Sequence, residues 1–183
     1  MKVLGISGSM RKNGNTSKLV ERILSRCVGD GVECEFITLA GKVIRPCLGC
    51  EWCKQNKVCI IDDDDWPGLI ERVLSCEVLV IGSPTYYYDL SGQLKNFIDR
   101  TYSLFHDRRL AGRHGVAVAV HANKGAGRTI ETIEGFLNAH EFSSLGFVQG
   151  QGYGPDDVLN DFQALEKADA IGDKIVRLIK KSH

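Results

Sequence analysis

Four of the seven cysteines fall between Cys47 and Cys59, in the run Pro46-Cys47-Leu48-Gly49-Cys50-Glu51-Trp52-Cys53-Lys54-Gln55-Asn56-Lys57-Val58-Cys59. Their spacing is C-x2-C-x2-C-x5-C. Zinc sites usually draw on two separate cysteine pairs with a finger between them. Three thiolates at x2 intervals can instead cover three corners of a cubane cluster, with a fourth reaching the last iron. Four thiolates so arranged suit iron–sulfur chemistry, and closely spaced thiols with no such task would be an oxidation liability. The other three, Cys27, Cys34 and Cys76, lie on a helix face or beside strands, where free cysteine behaves as a small apolar side chain. Those three are expected in the core.

Three further loops carry groups that could hold a ligand. In Ser7-Gly8-Ser9-Met10-Arg11-Lys12-Asn13-Gly14-Asn15-Thr16-Ser17, the glycines let the backbone approach an anion closely, Asn15 or Thr16 can cap the following helix, and that helix points N–H groups at the guest. Ser9, Thr16 and Ser17 add hydroxyls and Arg11 a charged fork. The loop is neither a Walker loop nor a GxGxxG fingerprint, so a terminal monophosphate is the more natural guest than a nucleoside triphosphate or a dinucleotide. The second loop, Ser83-Pro84-Thr85-Tyr86-Tyr87-Tyr88-Asp89, ends a buried run in three tyrosines, a surface on which a planar heterocycle could stack. An exposed tyrosine-rich turn is the plain alternative for at least one of them. The third, His121-Ala122-Asn123-Lys124-Gly125-Ala126-Gly127, could clamp a ring edge. His121 itself receives no role, since a lone histidine at a strand end is more often structural.

These loops need elements to position them. Continuous Val- and Ile-rich runs predict strands at Val3–Ser7, Cys34–Leu39, Val78–Ser83, Gly115–His121 and Phe147–Gln149. Apolar residues at helical spacing predict helices through Leu19–Cys27, Leu69–Leu74, Leu90–Thr101, Arg128–His140 and Asp161–Lys180. Five βα units imply an α/β fold with an open, doubly wound sheet whose ligands sit beyond the strands' carboxyl ends. The connection Gly41–Asp65, about 25 residues, is too long to be an ordinary one. Asp62–Asp65 read as acidic residues ahead of a helix begun by Trp66-Pro67, and Arg108, Arg109, Arg113 and His114 read as a solvated loop.

The composition bounds the rest. With 183 residues, one domain spanning 1–183 is expected, with a Cys-rich insertion at 41–65. The 23 Lys and Arg balance the 23 Asp and Glu, leaving no field to attract nucleic acid. No apolar run approaches the about 20 residues of a membrane helix, so no membrane partner is expected. Met1-Lys2 leads into Val3–Ile6 without the features of an export signal, which implies a cytoplasmic setting where disulfides are disfavoured.

Three segments together resemble the flavodoxin-like NAD(P)H-dependent FMN reductase superfamily: Ser9–Ser17, Ser83–Tyr88 and Ser91-Gly92-Gln93-Leu94-Lys95-Asn96-Phe97-Ile98-Asp99-Arg100. The resemblance covers about Met1–Arg100. It implies a flavodoxin-like three-layer sandwich with a five-stranded parallel sheet, and one FMN. The FMN phosphate would be held by Ser9, Arg11, Asn15, Thr16 and Ser17, and its ring by Pro84, Thr85, Tyr86 and Tyr87, with Ala122, Asn123 and Gly125 completing the site. The third loop departs from the family pattern, with Gly125-Ala126-Gly127-Arg128 where many relatives have a Gly-Gly-Gln-Glu-like segment.

The cysteine loop further resembles the compact motif of the iron–sulfur flavoprotein branch, in which a 4Fe-4S cluster lies beside FMN in a neighbouring subunit. That resemblance implies cluster ligation by Cys47, Cys50, Cys53 and Cys59. It also implies electron transfer from ferredoxin or NAD(P)H to a small-molecule acceptor, and a homodimer or homotetramer. Two alternatives stand beside it: an NAD(P)H-dependent FMN or quinone reductase without a cluster, and a non-catalytic electron-shuttle module on the same scaffold.

Overall fold

A computed structural model describes residues 1–29 and 31–181, apart from the side chains of residues 179 and 181. Five parallel strands, β1 (Lys2–Ser7), β2 (Glu33–Thr38), β3 (Val78–Pro84), β4 (His114–His121) and β5 (Ser143–Gln151), form one sheet in the order β2-β1-β3-β4-β5. The helices are α1 (Asn15–Cys27), α2 (Trp52–Asn56), α3 (Trp66–Leu74), α4 (Gly92–Arg100), α5 (Tyr102–Phe105), α6 (Ala126–Ala139) and α7 (Phe162–Lys181), with a 3-10 turn at Asp157–Asn160. None of the helices among the described residues is long and apolar enough to cross a membrane. The order reverses between β1 and β3, and at such a switch point loops leave in opposite directions and open a crevice.

Strand side chains alternate between two cores. Val3, Val78, Val80, Val116, Val118 and Val148 pack under α1 and α7, against Leu19, Val20, Ile23, Ala168 and Ile171. Leu4, Ile6, Leu79, Ile81, Ala117 and Ala119 face α3, α4 and α6, against Ile70, Val73, Leu94, Phe97, Ile130 and Ile133. Both faces are therefore covered, which is why the strands read as unbroken apolar runs. Cys27 and Cys76 are buried as expected, Cys34 is half-buried, and all seven cysteines are free thiols.

Four details differ from the sequence expectations. Strand β5 starts earlier, at Ser143, because an edge strand tolerates the exposed polar residues Ser143 and Ser144. Helices α2 and α5 were not anticipated; α2 buries none of its residues and so has no apolar stripe. The basic cluster is not simply solvated: half-buried Arg113 donates to the carbonyls of Cys76 at 3.0 Å, Leu74 at 2.8 Å and Arg109 at 2.7 Å. It closes the end of α3 onto the start of β4.

Ser91 caps α4. Its hydroxyl accepts from Leu94 N–H at 3.3 Å and donates to the Gly8 carbonyl at 2.7 Å, tying the loops after β1 and β3 together. Ser91 is fully buried. Ser91→Ala removes the cap and the donor to Gly8, and is expected to cost about 1–2 kcal/mol, read as a lower urea midpoint at unchanged slope. An unchanged midpoint would contradict that role.

Candidate functional site

At the carboxyl end of β1 the chain makes a compact loop before α1. Gly8 N–H donates to the Gly82 carbonyl at 2.7 Å, fixing the loop against β3. Buried Ser7 collects two donors, Ser17 Oγ at 2.9 Å and Ser9 N–H at 3.4 Å, and Ser9 Oγ accepts from Arg11 N–H at 3.2 Å. A Cβ at Gly14 would come within 2.8 Å of Ser9 Oγ and 3.1 Å of the Arg11 carbonyl, so only glycine lets the loop close this tightly. Gly14, rather than Asn15 or Thr16, is the N-cap of α1, and no side chain caps this end. The first turn also has no acidic residue. An uncapped helix start with no neutralising carboxylate is suited to an anion.

Asn15 is occupied elsewhere. Its Nδ2 donates to the Gly154 carbonyl at 2.9 Å and its Oδ1 accepts from Val158 N–H at 3.4 Å. Arg11 Nη1 donates to the Tyr153 carbonyl at 3.0 Å. The loop after β5 thus clasps the loop after β1, and it holds its own shape because Asp157 Oδ2 accepts from Tyr153 and Gly154 N–H at 3.1 and 2.7 Å. Sequence reasoning passed over this segment, although Gly152-Tyr153-Gly154-Pro155 follows a strand and its turn residues mark a loop at the ligand end of the sheet.

The tyrosine loop is a tight turn. Tyr86 and Asp89 exchange backbone hydrogen bonds of 2.8 and 3.1 Å, and Tyr87 and Tyr88 between them adopt φ of 48° and 69°. Non-glycine residues at positive φ are strained, and such strain concentrates at ligand-gripping turns. Thr85 extends the sheet through its N–H to the Val120 carbonyl at 2.7 Å, and its hydroxyl meets Thr129 Oγ1 at 3.0 Å. Asp89 Oδ1 accepts from Leu90 N–H and Thr132 Oγ1, both at 2.8 Å, anchoring the turn to α6. Pro84 and Thr85 are half-buried, whereas Tyr87 is wholly exposed at the tip.

The third loop meets the second directly. Gly125, at φ +97°, is the N-cap of α6, and a Cβ there would lie 2.5 Å from the Tyr88 ring. The two loops therefore touch because this residue is glycine. Ala122 and Asn123 are exposed, and the Ala122 carbonyl accepts from Gln151 Nε2 at 3.1 Å. Ser9, Thr16 and Ser17 are buried and Arg11 is exposed. Of the twelve candidate ligand residues, Pro84 is the last residue of β3 and the other eleven lie on loops or helix starts that follow β1, β3 and β4.

The cysteines form a separate site. Cys47, Cys50, Cys53 and Cys59 all line one pocket of about 160 Å³, together with Ile60, Ile61, Arg100 and Tyr102. Burial pushes the Cys53 thiol up, and the neighbouring thiols of Cys59, Cys47 and Cys50 push in the same direction. Four thiolates in one pocket repel one another unless cations join them, so the donor set fits a polynuclear iron–sulfur group. Among the described residues, no three or more His, Cys, Asp or Glu side chains are grouped closely enough to hold a metal ion.

The insertion is pinned at its base by the acidic run that looked like a mere helix start. Asp65 Oδ2 accepts from Val43 N–H at 2.8 Å, and Asp64 accepts from the N–H of Arg45 at 2.9 Å and of Trp66 at 3.0 Å. Asp64 also pairs with Arg100, both side chains being buried. Asn96 Nδ2 and Arg109 Nη2 donate to the carbonyls of Ile44 at 3.0 Å and Lys57 at 2.5 Å.

Burial alone would raise the Asp64 carboxyl, but the two N–H donors and the Arg100 guanidinium hold it below the ordinary carboxylate range. A carboxyl depressed in the folded state stabilises the fold fully above its unfolded value, and that contribution disappears as pH falls through the folded value. Thermal stability is therefore expected to drop below about pH 4. Asp64→Asn should be less stable at neutral pH and show a flatter acid limb; parallel acid limbs in variant and parent would contradict this.

Comparison with known proteins shows the family and the fold. The model of the NADPH-dependent FMN reductase family matches residues 1–149. An iron–sulfur flavoprotein of Methanocaldococcus jannaschii is 39% identical over 195 residues, covering 99% of this chain and 100% of the relative. An iron–sulfur flavoprotein of Archaeoglobus fulgidus is 32% identical over 187 residues, covering 100% of this chain and 82% of the relative. A solved archaeal flavodoxin superposes with a TM-score of 0.63 at 17% identity, covering 98% of this chain and 99% of that one, which shows the fold. The chain belongs to the NADPH-dependent FMN reductase family, within its iron–sulfur flavoproteins. It is a flavodoxin-like, FMN-dependent oxidoreductase.

Proposed function

We propose that the protein passes electrons between a one-electron donor of ferredoxin type and a small-molecule acceptor, using FMN and a 4Fe-4S cluster on Cys47, Cys50, Cys53 and Cys59. The observation that carries this reading is that these four cysteines, spaced C-x2-C-x2-C-x5-C, line a single pocket. The relatives' names support it, since two long matches are iron–sulfur flavoproteins. When bound, the cluster supplies one-electron transfer and FMN both one- and two-electron transfer.

The chain's own residues do the positioning. The uncapped start of α1, with Ser9, Thr16, Ser17 and the backbone N–H of Asn15, receives the FMN phosphate, and Arg11 adds a charge-assisted contact while gripping the loop after β5. Pro84, Thr85, Tyr86 and Tyr87 hold the ring from the β3 side, and Ala122, Asn123 and Gly125 hold it from the β4 side. The turn at Tyr86–Asp89 is anchored to α6 through Asp89 and Thr132. Leu48, Trp52, Val58 and Ile60 are exposed around the cysteine loop, and a second copy of the chain in a homodimer or homotetramer covers them in this reading. Seven free thiols fit a reducing, cytoplasmic setting.

The rival reading, an NAD(P)H-dependent FMN or quinone reductase without a cluster, draws on the description of the family model itself. Metal and sulfide analysis after anaerobic purification separates the two. The cluster reading expects about four iron and four acid-labile sulfides per chain, by the ligand count. Zinc without sulfide would overturn it.

A further inference from the structure

Arg100 ends α4 and is 1% exposed, yet it lines the four-cysteine pocket. Arginine is almost never so deeply buried unless its charge is paired. Nη1 pairs with Asp64, Nη2 donates to the Ile61 carbonyl at 2.6 Å, and the guanidinium carbon lies 4.7 Å from the centre of the Trp66 ring. Nε is buried and has no hydrogen-bond partner. Of the buried pair, Arg100 is among the residues lining the pocket and Asp64 is not.

We propose that Arg100 sets the reduction potential of the cluster, as the buried cationic floor of its pocket with Nε–H as the uncommitted donor. The inference rests on the cluster reading above. Reduction adds negative charge to a group already bound by four thiolates. A nearby cation and N–H donor stabilise the reduced form more than the oxidised one, which raises the potential. Asp64 opposes this from behind, so the pair sets the potential by difference. Arg100 is thus a positioning and tuning residue rather than a catalytic one.

The test is an EPR-monitored potentiometric titration of the intact holoprotein, with dithionite as reductant, on the parent and three variants. Arg100→Lys keeps the charge but loses Nε–H, and the cluster midpoint is expected to move negative. Asp64→Asn frees the guanidinium of its counter-ion, and the midpoint is expected to move positive. The double variant Asp64→Asn with Arg100→Gln buries no unpaired charge, and its midpoint is expected to move negative because, of the two charges lost, that of the pocket-lining Arg100 dominates. A purely structural role would lower the unfolding temperature of the variants without sorting their potentials by sign. Equal midpoints in variants that keep the parent's iron and sulfide content overturn the proposal. If either single variant fails to fold, the double variant decides by the same criterion. A parent protein without iron and sulfide overturns the cluster reading and this proposal together, and so is distinguishable from failure of the tuning role alone.

Discussion

Cys50→Ala is expected to abolish the iron–sulfur absorbance of the purified protein while leaving the flavin bands at parental intensity. Cys50 is exposed between Gly49, at φ +61°, and Glu51, at φ +58°, in a stretch held open by its backbone and not by packing. Replacing it removes one of four thiolates and little apolar burial, so the fold has little to lose and the cluster loses a corner ligand. The residues proposed to hold FMN lie at the ends of β1, β3 and β4, outside the 41–65 insertion, so flavin binding should be unaffected. Cys76→Ala is the matching control: that thiol is buried in the core and does not line the four-cysteine pocket. Retained iron–sulfur absorbance in Cys50→Ala, or its loss in Cys76→Ala, would contradict the ligand assignment. So would loss of soluble Cys50→Ala protein, which would point to a structural site.

Arg11→Ala is expected to weaken FMN retention about 10- to 100-fold, the equivalent of one charge-assisted hydrogen bond of about 1.5–3 kcal/mol. The side chain is exposed and its partner in the fold is the Tyr153 carbonyl, so the loss falls on the ligand and on the loop after β5 rather than on the core. Arg11→Lys keeps the charge without the planar fork and should fall between parent and Ala. Dialysis followed by flavin fluorescence reads the difference. Equal flavin occupancy in Arg11→Ala and parent would contradict the phosphate role, and loss of the iron–sulfur absorbance along with the flavin would contradict the separation of the two sites.

The central strands were legible because both their faces are covered, which writes Val78–Ile81 and Val116–Val120 as unbroken apolar runs. The same logic hid part of β5, whose outer residues Ser143 and Ser144 are exposed. Helices α1, α3, α4, α6 and α7 announced themselves by a stripe facing one core or the other. Helix α2, five residues long with none buried, carries no such stripe.

In the candidate site, the spacing of Cys47, Cys50, Cys53 and Cys59 revealed a common pocket because neighbours so close in sequence have little freedom to part. Contacts made across the fold were not legible. Asn15 looked like a cap, yet its amide reaches Gly154, far along the chain, and leaves capping to Gly14. Asp64 looked like a helix-start acid, yet it anchors the insertion through Arg45 and Arg100. Arg100 gave no sign of burial, because its partner lies 36 residues away on a different element.

The most direct test of the account is one anaerobic preparation followed by visible and EPR spectroscopy during stepwise reduction. Flavin bands and an iron–sulfur signal are expected in the same protein, both responding to reductant, with the iron–sulfur signal absent from Cys50→Ala. A preparation that shows flavin alone, with zinc in place of iron and sulfide, would contradict it.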